Sequence, residues 1–169
     1  MIEKSLRVLL DTNIYGFLCE TPNASEFLQR ISDNNIIICG SSVIRQELRN
    51  IPKKVMRGHT KTRKKALQFY DILVDFKRNY SVTELVKALA QEYNLQYKGS
   101  RSWHELENDF LIVATASIHN VDIVISNDER TLTSKESISA YEIANEKFEL
   151  MTPKFFRMNG FKSMIKWFP

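Results

Sequence analysis

Short apolar runs alternate along this chain with longer stretches in which apolar residues recur at helical spacing. The apolar runs cover residues 6–11, 35–39, 121–126 and, less distinctly, 147–151. They are nearly continuous in apolar residues, as are strands of a parallel sheet that is buried on both faces. Helical patterns occupy residues 13–20, 24–32, 60–78, 82–94 and 108–119, and another helix begins after Gly40, with Ser41 or Ser42 as its N-cap. This alternation predicts an α/β fold in which helices cover both faces of a parallel sheet.

The length of 169 residues is most simply one domain with its own core. We assign residues 1–156 to this domain. Within it, residues 58–107 show helical patterns and no strand, which predicts a helical arm or lid. Residues 157–169 form an aromatic and basic tail. Packing on its own domain is the favoured role for this tail, and contact with a partner subunit or with nucleic acid are the alternatives.

Composition sets limits on location. The hydrophobic content of 43% and the charged content of 26% are ordinary for a globular chain. No apolar run approaches the roughly 18 residues of a membrane-spanning helix, and the first residues lack the apolar core of a signal peptide. We therefore expect a cytoplasmic protein that does not enter a membrane.

The net charge of +4 is unevenly distributed. Residues 45–65 contain nine Lys or Arg and the single acid Glu47, so this segment carries +8 and the rest of the chain carries −4. A basic segment beside an acidic remainder fits a polyanionic partner and a separate cation site. A solvated basic helix is the equally open alternative. The candidate phosphate-binding residues are Lys53, Lys54, Arg57, Lys61, Arg63, Lys64 and Lys65.

Four acidic residues occupy positions where a carboxylate is unusual. Asp11 and Asp128 end two of the apolar runs, and ligands of open α/β sheets bind at the carboxyl ends of strands. Glu47 and Asp109 share helical faces with apolar residues, so both point toward the predicted core. Each has a simpler explanation, because Asp11 or Asp128 could cap a helix and Asp109 could be a first-turn acid. All four together predict a metal site.

The ligand atoms indicate which metal such a site would bind. Grouped carboxylates repel one another and burial adds to the cost, but a divalent cation removes both penalties. Oxygen ligands without a neighbouring His or Cys favour Mg²⁺ or Mn²⁺ over zinc. A metal-bound water can attack a phosphodiester. The chain lacks the glycine-rich loops that bind nucleotides in other enzymes, so metal-dependent hydrolysis is the favoured chemistry.

Four segments together carry a resemblance to the PIN domain, and in particular to VapC-type toxin ribonucleases and stand-alone archaeal relatives. The segments are Val8–Asn13, Ile44–Leu48, Asn108–Ala116 and Val124–Asp128. Leu150–Phe156 resembles the last strand of that family and the turn after it. The resemblance spans residues 6–156, although 58–107 matches only as generic helix.

The resemblance implies a three-layer α/β/α sandwich and Mg²⁺- or Mn²⁺-dependent cleavage of single-stranded RNA. Asp11, Glu47, Asp109 and Asp128 match the metal-binding, catalytic acids of the family, and Thr12, Asn13 and Ser126 match polar positions that support them. It also implies a homodimer and inhibition by a small antitoxin protein. The chain is longer than a typical toxin of this class, so an RNA-processing nuclease and a catalytically silent nucleic-acid-binding module stay open as alternatives.

Overall fold

The fold is built on a five-stranded parallel sheet. The computed structural model describes residues 4–57 and 60–169, apart from the side chains of Arg57 and Thr60. The strands are β1 (Leu6–Leu10), β2 (Ile36–Ser41), β3 (Met56–Arg57), β4 (Thr60–Lys61), β5 (Asn79–Tyr80), β6 (Ile123–Ile125) and β7 (Lys154–Phe156). The main sheet has the order β5-β2-β1-β6-β7, with every pair parallel, and β3 and β4 form a separate antiparallel pair. The strand order reverses direction at β1 and β6, which makes their carboxyl ends the topological switch point.

Eight helices in the described part of the chain flank this sheet, which confirms the α/β/α architecture. They are α1 (Thr12–Glu20), α2 (Ala24–Asp33), α3 (Ser42–Asn50), α4 (Thr62–Leu73), α5 (Glu84–Gln96), α6 (Trp103–Ile118), α7 (Lys135–Lys147) and α8 (Met158–Met164). Helices α1, α3 and α4 contact one another, and α5 contacts both α6 and α7. None of the helices in the ranges above combines the length and apolar character needed to cross a bilayer.

Local capping explains where the two acid-bearing helices begin. Ser41 caps α3 by accepting a 3.2 Å hydrogen bond from Val43 N. Helix α6 begins at Trp103, five residues before the predicted start, because Ser102 and Glu105 form a reciprocal capping box. Asp109 therefore lies in the second turn of α6. The first-turn explanation for this acid is wrong, since the dipole effect fades beyond the first turn.

The strand predicted at residues 147–151 was misplaced. Helix α7 continues to Lys147, and the chain then closes the helix end, with Phe148 N and Leu150 N both donating to Asn145 O. Glu149 adopts a left-handed φ of 56° in this closure. The last strand is instead β7, which pairs with β6 and follows the turn.

Residues 60–107 do not project as a helical arm, and the prediction that this part of the chain lacks strands was also wrong. It contributes β4 and the sheet edge β5. Helices α4 and α5 pack into the domain, with Ala66, Tyr70 and Tyr93 buried. Their apolar faces are covered by the domain itself, so the segment is part of the core. Residues 58 and 59 of the predicted arm lie outside the described residues.

The aromatic tail packs against its own domain. Phe161 and Trp167 are fully buried, with ring centroids 6.3 Å and 4.9 Å from that of Phe27 in α2. Phe168 is 73% exposed. Most of the tail's aromatic surface is thus buried within the chain, as the favoured packing role requires, and Phe168 is the part of it left open.

Candidate metal centre

The carboxyl ends of β1 and β6 meet through Asp11 and Ser126. Leu10 and Ile125 are register partners, and Asp11 N donates a 2.9 Å hydrogen bond to Ile125 O. Ser126 Oγ then donates to Asp11 Oδ2 at 2.7 Å. The sheet therefore sets the distance between these two side chains, at the switch point where the sequence predicted a site.

Asp11 is surrounded by donors although it is only 5% exposed. Its Oδ1 accepts from Thr12 N at 2.7 Å, and its Oδ2 accepts from Asn13 Nδ2 at 2.7 Å. Asn13 Oδ1 in turn accepts from Asn127 N at 3.1 Å, so Asn13 links the loop after β6 to the start of α1. Asp11 does act as the N-cap of α1, in keeping with the simpler explanation. The cap alone does not account for its deep burial.

Burial is the main reason that the pKa of Asp11 rises to about 6. The bonds from Ser126 and Thr12 oppose this rise, while the negative charges of Glu47 and Asp128 add to it. A buried carboxylate with several hydrogen-bond donors around it would ordinarily ionise easily, so desolvation and like charge outweigh hydrogen bonding here.

Asp109 shows the same pattern more strongly. Burial raises its pKa to about 7, and the charges of Asp11, Asp128 and Glu47 raise it further against the effect of the Thr131 hydroxyl. No described Lys, Arg or His side chain forms an ion pair with Asp109 or with the three acids around it. The four predicted acids thus lie within electrostatic reach of one another, and their mutual repulsion is uncompensated.

Glu47 connects α3 to two other helices. The Thr12 hydroxyl donates a very short hydrogen bond to Glu47 Oε2, and Asn108 Nδ2 donates to Oε1 at 3.0 Å. Glu47 is only partly buried, so the expectation that it points into the core was too strong. Polar groups from α1 and α6 face it instead. The role of Asn108 was missed, although it directly precedes Asp109 in the motif.

Asp128 is held by its own loop. Its carboxylate accepts from Arg130 N at 2.9 Å, Thr131 N at 3.0 Å and the Thr131 hydroxyl at 2.7 Å. Burial opposes ionisation of Asp128, but the bonds from Thr131 and Arg130 outweigh it and lower the pKa. Asp128 N donates to Ser126 Oγ at 3.0 Å, which ties this loop to the same serine that binds Asp11. The part played by Thr131 was not predicted.

The four carboxylates suit a hard divalent cation in chemistry but do not converge as they stand. Among the residues described, no three acidic, His or Cys side chains form a group that could hold a metal. Asp11, Glu47 and Asp128 each accept protein hydrogen bonds instead. The donors are all oxygen, and the repulsion raising the pKa of Asp109 lacks a protein cation to relieve it. These residues therefore fit Mg²⁺ or Mn²⁺, whose binding would require small side-chain rotations.

The basic segment divides into separate environments. A groove of about 270 Å³ is lined by Lys53, Lys61, Arg63, Lys64 and Leu67. Lys54 is exposed outside this lining. Lys65 Nζ donates to Cys19 O at 2.9 Å and lies over the Phe69 ring, so it is engaged by the domain. The predicted contact by Arg57 lies outside the described side chains. We call the five lining residues the basic groove.

Comparison with known proteins places this geometry in a family. The model of the PIN domain matches residues 8–136. Among solved structures, VapBC2 from Rickettsia felis bound to a promoter DNA fragment superposes with a TM-score of 0.58 at 16% identity, covering 90% of this chain and 98% of that one. FitAB bound to an IR36 DNA fragment gives 0.56 at 20% identity, with coverages of 89% and 94%. FitAcB from Neisseria gonorrhoeae gives 0.51 at 21% identity, with coverages of 88% and 96%. A search of curated proteins gave no match.

These matches confirm the resemblance inferred from the four motifs. The family model covers more than half of the chain, including all four acids. At these identities the solved structures establish the fold alone. PIN nucleases typically use divalent metal ions, in keeping with the all-oxygen donor set. The chain therefore belongs to the PIN domain family, whose members are generally nucleases.

Proposed function

We propose that the protein is an Mg²⁺- or Mn²⁺-dependent endoribonuclease that hydrolyses single-stranded RNA. The observation that carries this proposal is the pair of buried acids, Asp11 and Asp109, whose pKa values rise to about 6 and about 7 without a described cationic partner. Such perturbed acids cluster at functional sites. A buried structural acid would be paired with a positive side chain, whereas a metal ligand needs an empty place for a cation.

Asp11, Glu47, Asp109 and Asp128 are the residues that would hold the metal. When bound, the metal neutralises charge on the phosphate and lowers the pKa of a water that attacks phosphorus. The surrounding residues keep these ligands in place. Thr12 orients Glu47, while Asn13 and Ser126 orient Asp11. Such outer contacts fix ligand direction and basicity.

The basic groove is the proposed path for the RNA backbone. Lys53, Lys61, Arg63 and Lys64 concentrate positive charge in one concave surface, which attracts phosphates without regard to sequence. Asp11 is nearly inaccessible and the other acids are only partly exposed, so an extended single strand reaches them more easily than a stiff duplex. This supports single-stranded RNA over duplex DNA as the substrate.

We further propose that the nuclease is a homodimeric toxin with a protein antitoxin. The supporting observation is the similarity to VapBC2 and FitAB, both solved as complexes bound to DNA. A small inhibitor would act by placing an Arg or Lys side chain among the four acids, where a fixed positive charge replaces the metal. An RNA-processing role without an antitoxin is the second candidate, and a catalytically silent binding module is the third.

Cleavage by purified protein distinguishes these candidates. Unstructured RNA should be cut internally in Mn²⁺ or Mg²⁺, and EDTA should stop the reaction. Duplex RNA and single-stranded DNA of the same sequence serve as comparison substrates and should be cut more slowly. Equal cleavage by wild type and by Asp11→Asn would reveal a contaminating nuclease and overturn the assignment.

A further inference from the structure

A polar groove of about 260 Å³ opens beside Glu47 between α3 and α6. Its lining residues are Ser42, Val43, Gln46, Glu47, Asn50 and Asn108. Glu47 is the one charged residue in this lining, and Thr12 and Asn108 already bond both its oxygens. The lining lacks a cation that would attract phosphate. Neutral amides dominate the groove, so its chemistry suits a neutral polar group.

Gln46 and Asn50 present a matched pair of hydrogen-bonding groups. They lie one turn apart on α3, and Gln46 Nε2 donates to Asn50 Oδ1 at 2.9 Å. Within the described residues, Gln46 Oε1 and Asn50 Nδ2 have no protein partner. One acceptor and one donor are thus left side by side. Reversing both amides also leaves one acceptor and one donor, so this result does not depend on how nitrogen and oxygen are assigned.

An unpaired nucleobase complements such a pair. Its Watson–Crick edge carries a donor next to an acceptor, and proteins that recognise single-stranded RNA bind bases at this edge. Gln and Asn are also the side chains that bind adenine through two bonds. In a duplex this edge is already occupied, so the groove would accept only an unpaired base.

The groove lies between the acids and the basic groove along the chain. Glu47 belongs to its lining, and Asn50 ends α3. Lys53, which lines the basic groove, is three residues beyond Asn50 and so within about 11 Å of it along an extended backbone. One RNA strand can therefore place a base beside Gln46 and Asn50 while neighbouring phosphates reach the lysines.

We propose that the α3–α6 groove is a base-reading subsite, in which Gln46 and Asn50 hydrogen-bond one unpaired nucleobase next to the cleaved phosphate. The inference rests on the proposed nuclease function and adds a sequence preference at one position. Asn108 is a positioning residue here, because it joins the groove wall to Glu47. Variants at Gln46 and Asn50 test the proposal without removing any proposed metal ligand.

The first measurement is binding without turnover. In the Asp11→Asn background, anisotropy should show that fluorescent A, C and U hexamers bind with different affinities in Mn²⁺. Adding Gln46→Ala and Asn50→Ala should reduce the largest affinity ratio about tenfold, the scale of one two-bond base contact. Gln91→Ala, an exposed glutamine of α5 outside this lining, should leave the ratio unchanged. Equal affinities for all hexamers, or a ratio unaffected by the double substitution, would overturn the subsite.

The second measurement maps cleavage sites in a randomised, unstructured RNA. The wild type should show a preferred base at one position, and the Gln46→Ala, Asn50→Ala protein should lose it. Cleavage with an unaltered preference rejects the subsite and leaves the nuclease intact. Absence of cleavage together with a Gln46-dependent hexamer preference rejects the nuclease and retains the base-binding groove. Circular dichroism melts confirm that the variants fold.

Discussion

Ser126 donates a 2.7 Å hydrogen bond to Asp11 across 115 residues of sequence. The same Ser126 hydroxyl oxygen accepts from Asp128 N at 3.0 Å. One serine therefore connects the end of β1 to the loop that carries the last of the four acids. Because parallel strands fix this serine, the acids are brought together by the fold itself. Each of the following expectations tests one consequence of that arrangement.

Neutralising an acid of the cluster should abolish metal-dependent cleavage. Asp11→Asn, Asp109→Asn and Asp128→Asn should each lower the rate by at least about 100-fold, the upper range for loss of a residue that merely supports a ligand. Initial rates on a fluorescent RNA measure this. Asp33→Asn, an exposed acid at the end of α2, is the matched control and should cut at the wild-type rate.

Removing the Ser126 hydroxyl should weaken metal binding without removing a ligand. Ser126→Ala deletes one bond to Asp11 and leaves Asp128 N without its acceptor. We expect Mn²⁺ affinity to fall about 10- to 100-fold, as for other residues that orient metal ligands. Isothermal titration calorimetry measures the affinity. Ser163→Ala on the exposed side of α8 is the control. Wild-type affinity in Ser126→Ala would show that Asp11 needs no support.

Stability of the metal-free protein should fall as pH rises. The pKa of Asp11 rises to about 6 and that of Asp109 to about 7, above the ordinary 3.8, so the native state binds protons more tightly than the unfolded chain. The stabilisation by protonation is fully present below pH 3.8 and is lost as pH passes through these two values. Thermal melts in EDTA should therefore show a lower Tm at pH 8 than at pH 5.

Asp109→Asn is the control for this pH effect. The amide stays uncharged, so the variant should melt at or above the wild type at pH 8 and close to it at pH 5. Mn²⁺ should raise the wild-type Tm at pH 8, because a ligand of the native state stabilises it by mass action. It should raise Tm less at pH 5.5, since protons compete for the ligands. An unchanged wild-type Tm in millimolar Mn²⁺ at pH 8 would count against the site.

Strand ends were the most predictable part of this molecule. Continuous apolar runs identify β1, β2 and β6, because strands buried on both faces need apolar residues throughout. Edge strands do not have this requirement. β5 has two residues, and β7 is mostly exposed, so neither leaves a clear pattern. The alternation at 147–151 was misleading because these residues close the end of α7.

The candidate site was predictable in its acids and not in their partners. Asp11 and Asp128 follow apolar runs, which places them at one sheet edge. The bonds of Asn108 to Glu47 and of Thr131 to Asp128 depend on helix packing and loop conformation. Lys65 belongs to the basic segment in sequence, but its contact with Cys19 O is a tertiary one. Spacing along the chain does not contain such information.

Charge removal in the basic groove should change how RNA affinity depends on salt. Replacing Lys61, Arg63 and Lys64 with Ala should weaken RNA binding and reduce the salt slope by about 0.7 for each phosphate of the single strand that the protein no longer neutralises. Titrations between low and high salt measure the slope. Lys98→Ala, an exposed lysine outside the groove, is the control, and Mn²⁺ affinity should not change. An unaltered slope would make the groove an ordinary solvated surface.

A toxin should arrest growth, act as a dimer and be inhibited by a basic side chain. Light scattering at high concentration should give twice the mass of one chain, and a strict monomer would contradict the dimer. Induced expression in a bacterial host should stop growth for the wild type but not for Asp11→Asn. An Arg-bearing partner encoded beside it should restore growth and should compete with Mn²⁺ for the protein, because both neutralise the same four acids. The competition separates direct occupation of the site from inhibition elsewhere. If the expressed wild type leaves growth unaffected while the purified protein cuts RNA, the same active site serves an RNA-processing nuclease, because the chemistry of the acids is identical in both roles.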